Sequence, residues 1–316
     1  MQWMFRSALF FLLLFSCFFA GAQSFKIVPL GVKGGADESN LSSYMIASDS
    51  SDSYVCLDAG TLHYGIEKAI DEGVLAGNAG DIMKRNIKGY LISHPHLDHL
   101  SGLIINSPDD TVKAIYGLQF CLDVLKDKYF TWKSWANFAN EGDKPALNKY
   151  HYVTLTEDNE VPLEHTSMTV KPFELSHSSP FLSTAFLVKS ADAYVLYLGD
   201  TGSDEVEKSD RLSRLWNQVA PLVKSKQLKA IFIEVSFPDE QPEKQLFGHL
   251  TPRLLMKEMH VLQSLAGEKS LQNFPIVITH IKPAGNNEAL IRQELQQTNP
   301  LQLKLVFPEQ GKMLRF

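Results

Sequence analysis

From residue 25 onward, two kinds of segment alternate along the chain. Short runs of β-branched and aromatic residues end abruptly at polar residues or glycine: Phe25–Leu30, Ser43–Ala47, Tyr54–Leu57, Tyr90–Ile92 and Val112–Tyr116. A second set follows residue 150, over Met168–Phe173, Thr184–Val188, Tyr194–Leu198, Ala230–Ile233 and Pro275–Thr279. These runs predict strands, because branched and aromatic side chains fit a pleated, half-buried surface. Between them, apolar residues recur three or four apart over Gly65–Glu72, Leu118–Tyr129, Arg211–Val223, Pro252–Leu265 and Asn287–Gln297, which predicts helices. Strands interleaved with helices imply a layered α/β architecture. No Pro/Ser-rich linker, low-complexity tract or short-period repeat divides the chain, so residues 23–316 are expected to form one elaborated domain.

The first 22 residues follow a different pattern. Arg6 is the single early charge, Ala8–Phe15 is continuous hydrocarbon, and Ala20-Gly21-Ala22 offers small residues for cleavage. An apolar core shorter than the ~20 residues of a membrane span, followed by such a site, reads as a signal peptide over residues 1–22. The expected location is periplasmic or secreted, with no stable membrane insertion after cleavage; lipidation at Cys17 or an uncleaved anchor would leave the compartment unchanged. Cleavage leaves two cysteines, Cys56 and Cys121, each in an apolar run and expected as a buried thiol, with no support for zinc ligation by cysteine.

Of the 316 residues, 44% are hydrophobic and 21% charged, with a net charge of −6. No basic stripe is present that would neutralise successive phosphates, so a nucleic acid polymer is disfavoured as a partner. Oligomeric state is not legible in the sequence.

Chemistry concentrates in His94-Pro95-His96-Leu97-Asp98-His99, between the predicted strand Tyr90–Ile92 and the small pair Ser101-Gly102. At a strand tip, a loop can turn His94 and His96 toward one point and Asp98 and His99 toward a second, presenting two metal ions with the nitrogen and oxygen ligands zinc accepts. Further ligands should also stand at the ends of apolar strands. His177 follows Val170–Leu175, His280 follows Ile276–Thr279, and Asp200 follows Tyr194–Gly199, where a turn-stabilising role is the alternative. His63, His151, His165 and His260 lack a second ligand nearby, and the acidic runs Ser203–Lys208 and Pro238–Glu243 read as solvated loop faces.

The whole set resembles the metallo-β-lactamase superfamily, and His94 to Pro108 resembles the signature of its class II 3′,5′-cyclic-nucleotide phosphodiesterases. Supporting matches lie at Gly34-Gly35, Asn40–Tyr44, Leu57–Thr61, Trp135–Phe138, Gly248–Pro252 and Thr279–Pro283. The resemblance implies an αββα sandwich, two mixed sheets flanked by helices. It implies two Zn²⁺ per chain, for which Mn²⁺ or Fe could substitute. His94, His96 and His177 would hold the first ion and Asp98, His99 and His280 the second, with Asp200 bridging. Asp58 would orient a ligand histidine or, alternatively, stabilise its turn. His249 would give a proton or hydrogen bond to the leaving oxygen or phosphate, or instead cap the helix beginning near Pro252.

The expected reaction is metal-dependent hydrolysis of a small 3′,5′-cyclic nucleotide, cAMP or cGMP, to the nucleoside 5′-monophosphate by a hydroxide shared between the ions. Four metal charges, less two carboxylates and a hydroxide, leave +1, which suits a phosphodiester monoanion. Another hydrolase of this fold, acting on a different diester, a lactone or a thiolester, is the alternative, followed by a non-catalytic zinc-binding protein. The aromatic segment Tyr129–Phe138 is expected either to line a base-binding cleft or to pack as an inserted helix.

Overall fold

A computed structural model describes residues 24–316; the expected signal segment 1–22, with Cys17, lies outside the described residues. The first sheet contains β1 (Phe25–Gly31), β2 (Ser43–Ser48), β3 (Tyr54–Leu57), β4 (Ile87–Leu91), β5 (Lys113–Leu118) and β6 (Tyr150–Leu155) in sequence order. The second runs from β7 (Val161–Pro162) through β8 (Met168–Ser176), β9 (Leu182–Ser190), β10 (Ala193–Leu198), β11 (Leu228–Glu234) and β12 (Pro275–Thr279) to β13 (Lys304–Val306). The last strand, β14 (Leu314–Arg315), returns to the first sheet beside β1. Both sheets are mixed: β3 to β6 and β10 to β13 are parallel, and the other pairings are antiparallel.

Side-chain alternation explains the stacking. Along β1 the odd positions Phe25 and Ile27 meet Tyr44, Phe186, Tyr197 and Phe232 in a core between the sheets, whereas Val28 and Leu30 face outward. That outer face is covered by α1 (His63–Asp71), α2 (Ala79–Arg85), α3 (Leu97–Asn106) and α4 (Gln119–Val124), whose last turn runs on as a wider π turn over Leu125–Tyr129. The short α5 (Asp204–Glu207) leads into α6 (Arg211–Lys224), which with α7 (Pro252–Ala266) and α8 (Asn287–Gln297) covers the second sheet around Trp216, Met259 and Leu295. With both faces of both sheets buried, the chain forms four layers, helices–sheet–sheet–helices, as expected.

All ten expected strands are present, and β6, β7, β13 and β14 are added at sheet edges. Edge strands carry fewer apolar residues; β6 buries only Tyr150 and Leu155 fully, so its signal in the sequence is weak. Three helices were not anticipated. The one that matters is α3, whose first turn is built from the motif itself: His96 is its N-cap, and Asp98 and His99 lie in the first turn. The aromatic segment after Tyr129 is not an inserted helix. Phe130 is buried, but residues 130–149 form an irregular loop held by Trp132 Nε1 donating to Pro145 O (2.8 Å) and Trp135 Nε1 donating to Ser107 Oγ (3.0 Å).

Helix α3 docks by its backbone as well as by its apolar side chains. Gly102 N donates to Gly60 O (2.9 Å), Leu103 N to Ala59 O (3.1 Å), and Ala59 N to His99 O (2.7 Å). A Cβ on Gly102 would lie 2.8 Å from both Ala59 O and Gly60 O, so only glycine permits this approach. Gly102→Ala is expected to destabilise the fold by about 1–3 kcal/mol, read as a lower urea midpoint at unchanged slope. An unmoved midpoint would mean that the 58–60 loop yields freely.

Candidate metal centre

Strand direction gathers the site. Strands β8, β10, β11 and β12 run the same way, since β8 and β10 are both antiparallel to β9 and β10 to β12 are parallel. Their C-terminal ends deliver His177, Asp200, Glu234 and His280, and the parallel pair β3 and β4 delivers Asp58 and Ser93-His94 to the same edge of the sandwich. Ligand sites collect at such carboxyl ends because the loops there are free to vary while the strands fix their origins.

The seven expected residues converge in two groups. The first comprises His94, His96, His177 and Asp200; the second comprises Asp98, His99 and His280; a third, overlapping set joins Asp200 and His280 to His249, and in each, candidate ligand atoms all lie within 4.8 Å of one another. His96 Nδ1 is 3.4 Å from His177 Nε2, and His280 Nε2 is 3.2 Å from Asp98 Oδ2. Asp200 stands between the groups. Its Oδ2 is 3.8 Å from His94 Nε2, 3.9 Å from His177 Nε2 and 3.3 Å from His280 Nε2, while its Oδ1 is 3.2 Å from His99 Nε2. Every residue expected to ligate is therefore in this cluster.

The donor chemistry fits divalent metal ions. His94 Nε2, His99 Nε2 and Asp200 Oδ1 are buried without a hydrogen-bond partner, a costly condition that bound cations would relieve. Burial, reinforced by neighbouring imidazoles, holds the pKa of His94 well below the usual range and that of His96 down to about 4, and His177 is also lowered. Neutral rings keep the lone pair that coordination needs. Burial opposes ionisation of Asp200, but His280 and His99 outweigh it and hold this carboxylate well below its ordinary pKa. His99 is the exception: burial disfavours its charge, yet Asp200 and Asp58 raise its pKa, a proton that a bound cation would displace.

A second tier of polar groups holds four of the five rings by their other nitrogen. His177 Nδ1 donates to Gly248 O (2.9 Å), His94 Nδ1 meets Ser93 Oγ (3.0 Å), and His280 Nδ1 meets Ser236 Oγ (3.0 Å). His99 Nδ1 donates to Asp58 Oδ2 at 2.8 Å. Asp58 is placed for both roles considered for it, since it also accepts from Ser93 N (2.7 Å), Ser93 Oγ (2.8 Å) and Tyr197 OH (2.7 Å) and so secures the turn. The edge is also conformationally strained: Asp58, Ser178, Phe247 and His280 all have positive φ.

His249 lies over the cluster, with its ring centroid 5.3 Å from that of His280. It does not cap α7, because Thr251 supplies that cap. Its Nδ1 is 2.7 Å from Glu234 Oε1 and 3.8 Å from Asp200 Oδ2, so the nitrogen nearest the metal groups is already engaged by Glu234. Burial works against its protonation, but Glu234 and then Asp200 prevail, raising its pKa. Glu234 escaped the sequence reading although it ends the apolar run Ala230–Ile233; the strand-tip test applied to the histidines would have found it. It also accepts from Thr201 N (3.0 Å) and Ser236 Oγ (2.6 Å), steadying the loops that carry Asp200 and His280.

The acidic run at 203–208 is not a solvated loop face. Glu207 accepts from Ser178 N (2.8 Å) and Ser176 Oγ (3.0 Å) on either side of His177, and Asp204 accepts from Leu212 N and Ser213 N at the start of α6. His63, His165 and His260 are exposed and His151 pairs with Glu164, all outside the cluster. Cys56 and Cys121 are free and buried, with thiol pKa values raised by burial.

Asp58→Asn tests the second tier. Its amide would place an N–H opposite His99 Nδ1, favouring the tautomer with the proton on the ligating Nε2. Metal affinity at the Asp98–His99–His280 group should fall about 10–100-fold in chelator competition, and unchanged affinity would remove Asp58 from this role.

Comparison with known proteins agrees with the geometry. A profile for class-II cAMP phosphodiesterases matches residues 78–307. A 3′,5′-cyclic-nucleotide phosphodiesterase of Aliivibrio fischeri is 42% identical over 323 aligned positions, covering 96% of this chain and 98% of its own. A probable 3′,5′-cyclic-nucleotide phosphodiesterase of Yersinia pestis is 40% identical, covering 93% of this chain and 90% of its own. Among solved structures, unliganded yeast PDE1 superposes with a TM-score of 0.82 at 23% identity, covering 93% of this chain and all of that one. The metallo-β-lactamase fold protein YhfI of Bacillus subtilis superposes at 0.61 with 15% identity, covering 92% of this chain and 99% of that one. The sandwich is thus the metallo-β-lactamase fold, and the chain belongs to the class-II cAMP phosphodiesterases.

Proposed function

We propose that the protein hydrolyses 3′,5′-cyclic nucleotides, cAMP foremost, to nucleoside 5′-monophosphates at a centre holding two zinc ions. The observation that carries this reading is the convergence of seven His and Asp ligand candidates in two groups with Asp200 between them, in a chain of this family. His94, His96 and His177 would hold one ion and Asp98, His99 and His280 the other, with Asp200 shared. When bound, the ions supply Lewis-acid activation of a water and charge neutralisation at the phosphate. Cleavage of the leader 1–22 would place this activity in the periplasm or outside the cell.

The chain's own residues then account for the leaving group. Attack of water oxygen on phosphorus breaks the bond to the ribose 3′ oxygen, which departs needing a proton. His249, whose charged form Glu234 favours, donates that proton and recovers one from the attacking water, so the reaction consumes one water and no net proton. Glu234 also keeps the ring oriented.

Purified mature protein should release 5′-AMP from 3′,5′-cAMP, losing activity with a chelator and in Asp98→Ala. No turnover by metal-loaded protein would turn the reading toward other diesters, lactones or thiolesters. His249→Ala should retain its metal and lose about 10²–10⁴-fold in turnover of cAMP. It should lose much less on a p-nitrophenyl phosphodiester, whose leaving group departs without a proton. Equal losses on the two substrates would refute proton donation by His249.

A further inference from the structure

Lys282 stands two residues beyond His280 in the turn after β12. Its backbone is fixed: Lys282 N donates to Ser236 O (3.3 Å), and Gly34 N donates to Ile281 O (3.3 Å). The half-buried side chain carries Nζ to 5.9 Å from the ring centroid of Phe237, which itself lies 5.8 Å from that of His249. Among the described residues, Nζ meets no carboxylate and no hydrogen-bond acceptor. The space in front of it is kept open by Gly35. This residue has φ +81°, and a Cβ there would find Lys282 Nζ as its single neighbour within 4 Å, at 3.9 Å. The N–H of the same glycine donates to Asp98 Oδ2 (2.9 Å), so the open space adjoins the second ligand group.

Within the protein this ammonium has no anionic partner at hydrogen-bond distance among the described residues. It opposes the capture of divalent cations by the neighbouring cluster, and it works against the proton on His249. Its contact with Phe237, at the outer limit of cation–π range, is weak compensation. An anion supplied from outside removes the imbalance, and a lysine ammonium is a strong point-charge donor to phosphate oxygen. We propose that Lys282 positions the substrate by donating to a non-bridging oxygen of a phosphodiester bound at the His/Asp centre. This inference rests on the phosphodiesterase reading but not on the identity of the nucleoside.

The test uses the metal-loaded mature chain and its Lys282→Met and Lys282→Arg variants. Methionine keeps the packing on Phe237 and removes the charge. Kinetics are read on 3′,5′-cAMP and on bis(p-nitrophenyl) phosphate, which has no base or sugar; the affinity for inorganic phosphate is read by calorimetry and metal content by atomic absorption. Lys282→Met should lose about 10–100-fold in kcat/KM on both diesters, mainly through KM, and weaken phosphate binding to a similar degree. Metal content and Tm should hold, and Lys282→Arg should restore most of the loss. Unchanged phosphate affinity in Lys282→Met, or an activity loss matched by lost metal, overturns the proposal. If the parent ignores cAMP but cleaves the base-free diester, the cyclic-nucleotide reading falls and Lys282 is still judged on that diester. If it cleaves neither, phosphate affinity decides.

Discussion

The carboxylate of Asp58 is the constraint on which the site depends. It is fully buried at the end of β3 and accepts from Ser93 N, Ser93 Oγ, His99 Nδ1 and Tyr197 OH. Three of these donors belong to the motif segment of the first sheet, and the fourth belongs to β10 of the second. One anion thus sets the turn into the motif, selects the tautomer of a ligand histidine and links the two sheets beneath the cluster. A buried carboxylate is tolerable only when its acceptor capacity is satisfied, so these four donors are mutually required.

The same logic repeats around the centre. The first sheet supplies His94, His96, Asp98 and His99, and the second supplies His177, Asp200 and His280, so neither half holds a complete ligand set. Close backbone approaches bring the halves together. A Cβ on Gly199 would lie 2.4 Å from Ser93 Cβ, and one on Gly34 would lie 2.2 Å from the His280 ring. The glycines beside the ligands are therefore spacers that let loops from both sheets meet at ligand distance.

Charge is arranged by layer. Asp98 and Asp200 face the ligand groups, while Asp58 and Glu234 stand one step behind and act through His99 and His249. The outward carboxylates suit coordination, and the inner pair sets proton positions on the rings. Lys282 stands at the rim of this centre without a hydrogen-bond acceptor among the described residues, in the place from which we propose that it meets an anionic substrate.

Much of this was legible in the sequence. Apolar periodicity marked ten strands and five helices, and ligands at strand tips follow from the way a sheet presents loops at one edge, so His177, Asp200 and His280 could be named beside the motif. Local pattern was insufficient where partners are distant. Glu234 gains its role only because His249 folds back 15 residues later, Glu207 because Ser178 lies 29 residues earlier, and Lys282 because Gly35 has no side chain to fill the space before it. The aromatic run after Tyr129 is held by tertiary contacts to Ser107 and Pro145 and does not form the inserted helix considered for it. By itself, then, the sequence determined the layers and the candidate ligand set, because periodicity and donor type are local properties. The tertiary structure alone decided which buried carboxylate serves which histidine and which cation is left without a partner among the described residues, because those depend on distances closed only when the two sheets pack.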